Sequence, residues 1–146
     1  MLNAQTNTNE MIEEVLHNAQ KVAVVGYSNK PHRAGHYVPA YLQQQGYQII
    51  PVNPLESEGL GEKAYPSLND VPDPIDLVLI FRKAEDVPEV VEQAIEVNAK
   101  CVWMQLGIIH EPAAAAAEQA GLGVVMDKCM LVEHRNRGVM GAGDRE

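Results

Sequence analysis

The chain has 146 residues, 46% of them hydrophobic, which suits one globular domain with a single sizeable core and excludes a disordered chain. Its net charge of −9 opposes binding to duplex DNA or to an anionic membrane surface, so neither is expected as a partner. Two cysteines, Cys101 and Cys129, are too few for a secreted disulfide scaffold, and neither sits in a metal-ligand spacing.

Met1 to Thr6 lack a basic segment followed by an apolar run, so no signal peptide is read there. No apolar stretch approaches a membrane span, and a cytoplasmic location is expected. Met11, Ile12, Val15, Leu16 and Ala19 fall on one helical face, with Thr8 or Asn9 as the cap. Val22 to Val25 reads as a strand buried on both faces. A second helical stripe follows at Tyr37, Val38, Tyr41 and Leu42, closed by Gly46 in the left-handed conformation. Tyr47 to Val52 is the second strand, stopped by Asn53-Pro54.

Residues 54–74 read as a long connection with a short helix near Ser67 to Asp70. The third strand lies within Ile75 to Phe81. Val87, Val90, Val91, Ala94 and Ile95 mark the next helix, with Pro88 in its first turn. Lys100 to Met104 is the fourth strand. Pro112 opens an alanine-rich helix that Gly121 closes, and Gly123 to Met126 is the fifth strand. A last helix starts near Met130, and the tail from about residue 139 is read as flexible. The alternation implies an α/β, three-layer Rossmann-like fold with a five-stranded parallel sheet and helices on both faces. In such sheets ligands bind outside the carboxyl ends of the strands, where the winding reverses.

Five loops therefore carry the search. The first holds Gly26, Tyr27, Ser28, Lys30, His32 and Arg33 between a strand and a helix start. Glycine permits a sharp turn, the helix start binds phosphate, and the cations add charge and a planar fork. The second ends in Val52-Asn53-Pro54. A dinucleotide site usually has a carboxylate here for the ribose, whereas Asn53 is neutral and Glu56 and Glu58 follow as competitors. The third, Phe81-Arg82-Lys83, reads equally as a phosphate-neutralising pair or as solvated charges beside Glu85 and Asp86. The fourth offers Gln105 for an amide-bearing ligand and Gly107 for close backbone approach. In the fifth, Cys129 is read as an inert small residue beside Lys128. Trp103 and Cys101 are read as core. No Ser-His-Asp order, paired-carboxylate site or metal cluster stands out, so no catalytic or metal-binding residue is assigned.

With these loops in view, the chain resembles the small stand-alone CoA-binding proteins, which are related in fold to the CoA-binding domain of the succinyl-CoA synthetase alpha subunit. The similarity covers about Val22 to Arg137. It rests on Val24 to Ser28, Lys30-Pro31 with Arg33 and Gly35, Pro51 to Pro54, Gly61 to Leu68, Phe81-Arg82, Trp103 to Gly107 and Val125 to Cys129. The resemblance implies binding of coenzyme A or an acyl-CoA. Ser28, Lys30 and Arg33 would hold the phosphates, Val52 and Asn53 would face the adenosine, and Phe81 to Lys83 with Gln105 to Gly107 would flank the pantetheine arm. The synthetase has a lysine soon after the second strand where this chain has Glu56 and Glu58, and it also needs a phosphohistidine domain and a partner subunit. Ligase chemistry is therefore not implied. Two other readings stay open, an NAD(P)-dependent enzyme or nucleotide-binding regulatory protein, and one subunit of an acyl-CoA ligase. A protein partner is not identified, and a homodimer is left open.

Overall fold

Short apolar runs separated by amphipathic helices assemble around one sheet. The structure, a computed structural model, describes residues 8–138. It begins with α1 (Thr8–Asn18), β1 (Lys21–Val25), α2 (Ala34–Gln44) and β2 (Gln48–Val52). A small hairpin, β3 (Glu58–Gly59) and β4 (Glu62–Lys63), leads to a 3-10 turn at Leu68–Asp70. Then come β5 (Leu77–Ile80), α3 (Val87–Glu96), β6 (Cys101–Met104), α4 (Glu111–Gln119), β7 (Gly123–Val125) and α5 (Met130–Asn136). The tail expected from residue 139 lies outside the described residues.

The main sheet has the order β2-β1-β5-β6-β7, and every pair is parallel. Val25 is level with Val52 on one side and with Ile80 on the other, and Ile80 is level with Met104. The carboxyl ends of four strands therefore finish on one line. Alternation along each strand splits the core into two layers. Val22, Val24, Leu77, Leu79 and Trp103 face α1, α2 and α5. Ala23, Val25, Val78, Ile80 and Met104 face α3 and α4.

The strands and helices expected from the sequence are present, with edges shifted by a few residues. Gly46 has φ +104°, and the amide of Tyr47 after it closes onto the Leu42 carbonyl at 3.1 Å, which ends α2 as a left-handed cap. Thr8 and Asn9 do not stand ahead of α1 as caps; both are inside it, and Asn9 Oδ1 instead accepts from Arg137 Nη2 at 2.7 Å. That long-range bond is invisible to a local capping rule. The 54–74 connection is more ordered than its composition suggests. Tyr65 pairs with Val52 and runs beside the edge strand β2, where Pro51 is tolerated because its nitrogen, like the carbonyl that accepts the Tyr65 amide, faces away from β1. The β3–β4 hairpin was not expected, since strands of two residues show no periodicity.

Cys101 is buried, as is Trp103, whose indole donates to the Lys128 carbonyl at 2.8 Å. Desolvation pushes the Cys101 thiol up from its ordinary 9.0 to about 11. The folded state thus prefers the neutral thiol. Its stabilisation is complete below pH 9 and is lost as pH rises toward 11. Urea denaturation should show about 1 kcal/mol of stability lost through this group by pH 10, and Cys101→Ala should flatten that part of the slope. An identical alkaline slope in the variant would contradict the assignment.

Candidate binding groove at the strand crossover

From β1 the chain steps outward to β2 and then returns past β1 to β5, so the loops after β1 and β5 leave in opposite directions. A crevice opens between them for purely topological reasons. It is a groove of about 610 Å³.

The loop after β1 forms its floor. Gly26 has φ +90°, and its amide donates to the Val52 carbonyl at 3.0 Å. A Cβ there would lie 2.6 Å from the Phe81 carbonyl oxygen, so both the conformation and the space require glycine. Gly35, in the first turn of α2, approaches from the other side, where a Cβ would lie 2.8 Å from the Gly26 carbonyl oxygen. The Ser28 amide donates to the Gly35 carbonyl, and Ser28 Oγ accepts from the Lys30 amide at 3.1 Å. Strand, loop and helix start are locked against each other.

The start of α2 opens into this groove. Arg33 makes no side-chain capping bond there, and the first turn contains no acidic residue. The first amides of a helix have no carbonyl partner within it and carry partial positive charge. Lys30 and Arg33 line the same groove, and Arg82 reaches it from the loop after β5 while also pairing with Asp86 at 3.1 Å. Arg82 thus stands at the groove and beside Asp86 at once.

Tyr27 is fully buried, with its ring against Gly59 and its hydroxyl donating to Asn29 Oδ1 at 2.9 Å. Burial, and secondarily the charge of Glu56, raise its phenol above the ordinary value. Asn29 Nδ2 donates in turn to Glu56 Oε1 at 2.9 Å and to the Glu58 carbonyl at 2.8 Å. The floor loop is thereby tied to the hairpin.

Asn53 lines the groove, but its side chain is occupied. Nδ2 donates to the Tyr27 carbonyl at 2.7 Å and Oδ1 accepts from the Leu55 amide at 2.8 Å. At the far end, Gln105 is buried and accepts from the Met130 amide at 3.4 Å. Leu106, 65% exposed, and Ile108 continue that wall.

The structure brings Gly26, Tyr27, Ser28, Lys30, Arg33, Asn53, Phe81, Arg82 and Gln105 to one groove. It leaves Val52, Lys83 and Gly107 outside that lining. Val52 points to the α3 face of the core, because its strand neighbours fix its side. Lys83 is exposed at the head of the 3-10 turn Ala84–Asp86. Gly107 has φ +87°, a Cβ there would find open space, and its amide donates to Asp127 Oδ1 at 2.7 Å.

Residues 20–135 match the family described as CoA binding domain. The chain belongs to that family. Uncharacterized protein YneT of Bacillus subtilis (strain 168) is 42% identical over 123 residues, covering 84% of this chain and 91% of that protein. The solved structure of a hypothetical protein from Pyrococcus horikoshii OT3 superposes with a TM-score of 0.86 at 42% identity, covering 93% of this chain and 96% of the other. The alpha subunit of acetate–CoA ligase [ADP-forming] I from Pyrococcus furiosus is 36% identical over 95 residues, 61% of this chain but 21% of that subunit. The chain spans about a fifth of the ligase subunit, and ligase activity stays with that protein.

Within this CoA binding domain, the sequence singles out neither Leu55 nor Ile108 for the groove, covers Leu106 only within the stretch Gln105 to Gly107, and offers Glu56 only as a competitor to Asn53. Their one signal was position, a few residues beyond a strand end. The Asn53 bonds give a direct test. Asp at this position cannot donate to the Tyr27 carbonyl, so Asn53→Asp should lose about 1–3 kcal/mol in urea denaturation, although a carboxylate here is common in dinucleotide sites. Unchanged stability would show that the amide is not structural.

Proposed function

We propose that the groove binds coenzyme A or an acyl-CoA through its diphosphate, with no chemistry assigned to the chain's own residues. The observation that carries this reading is the convergence of Lys30, Arg33 and Arg82 on a helix start that has neither side-chain cap nor acidic first turn. In a chain of net charge −9 such a cluster is a local exception, suited to a small polyanion. Membership of the CoA binding domain family supports the same ligand.

In this reading the amides at the start of α2 donate to phosphate oxygens, Arg33 adds a planar fork and Lys30 a mobile charge. Phe81, Leu106 and Ile108 give the pantetheine arm an apolar wall. Gln105, whose Oε1 is held by the Met130 amide, keeps Nε2 to donate to an amide carbonyl of the arm.

Isothermal titration with CoA and with NAD tests the reading. CoA should bind, and NAD should bind more weakly. Lys30→Ala with Arg33→Ala should weaken CoA binding by about 100-fold or more, since hydrogen bonds to charged groups contribute about 1.5–3 kcal/mol each. Both side chains are exposed, so circular dichroism should not change. Equal binding of CoA and NAD, or unchanged CoA affinity in the double variant, would contradict the proposal.

A further inference from the structure

Glu56 is the one carboxylate among the described residues that line the groove. It lies four residues beyond the end of β2, at the end of the crevice where nucleotide-binding sheets of this kind place the ribose. It is not a loose surface acid. Asn29, from the loop that forms the groove floor, donates to its Oε1, and the same Asn29 is fixed by the Tyr27 hydroxyl and the Glu58 carbonyl. The bond that holds Oε1 leaves Oε2 as a further acceptor beside the groove. Its neighbour Leu55 is 88% exposed and carries no charge to offset it.

We infer that Glu56 sets the ribose specificity of the groove, accepting a sugar hydroxyl and disfavouring a phosphate on the same ribose. The inference rests on the reading that the groove holds an adenosine diphosphate moiety. A carboxylate and a phosphate a few ångströms apart at a partly exposed site repel, whereas a hydroxyl donates to the carboxylate. The cations that serve the diphosphate, Lys30, Arg33 and Arg82, come from the loops after β1 and β5, and none comes from the β2 loop. The chain should therefore gain nothing from the 3′-phosphate of coenzyme A and should take dephospho-CoA at least as well.

Titration of the full chain and of Glu56→Gln with CoA and with dephospho-CoA at low ionic strength tests this. Glutamine keeps an oxygen for Asn29, so the loop should hold and the melting temperature should not move. The wild-type chain should bind dephospho-CoA at least as tightly as CoA. Glu56→Gln should raise CoA affinity about fivefold, as expected for loss of one partly screened like-charge contact, and should lower dephospho-CoA affinity about two- to fivefold, because its ribose hydroxyl loses a charged acceptor. Binding of both ligands with an unchanged ratio in the variant, or CoA more than about tenfold tighter in the wild type, overturns the inference alone. Failure of both ligands to bind overturns the inference together with the reading beneath it.

Discussion

The backbone at Gly26 is held from three sides. Its amide is bonded to the end of β2, a Cβ at this residue would meet the Phe81 carbonyl at the end of β5, and Gly35 of α2 packs on its own carbonyl oxygen. These contacts come from the parts of the chain that diverge at the winding reversal. A side chain at residue 26 would separate them, and the groove floor, the start of α2 and the cationic residues would lose their common reference. Because the contact is mostly backbone, it fixes the groove without drawing on the side chains that face it.

Electrostatics then gives this shape a local positive field. The chain as a whole repels anions, yet the start of α2 is left uncapped by side chains and free of acids while Lys30, Arg33 and Arg82 gather around it. Loose acids near such a cluster would neutralise it. Asp86 pairs with Arg82 from outside the lining, and Glu56 is tied by Asn29 at the β2 end. Opposite charges are sorted along the groove, which gives it an electrostatic polarity from the α2 start to the β2 end.

Most of the fold could be read from the sequence, because its main signals are local. Val22 to Val25 and Leu77 to Ile80 are continuous apolar runs too short for helices, and Gly46 follows a helical stripe where a left-handed residue is needed. The β3–β4 hairpin gave no signal, since each strand has two residues and its place is set by Tyr27 packing on Gly59. Arg137 bonds to Asn9 and Glu13 join residues more than 120 apart, beyond any local rule. In the groove, motif position found Ser28, Lys30 and Arg33. It could not tell that Val52 turns toward the core or that Asn53 is spent on backbone bonds, since both depend on which way a side chain points once the strand is placed.

A crystal structure of the chain with coenzyme A tests the central claim most directly. The expected result is diphosphate density between Ser28 and Gly35, within hydrogen-bond distance of the α2 amides, with the pantetheine arm running toward Gln105. Ligand density at a distant surface, with the Gly26 turn facing solvent alone, would contradict it.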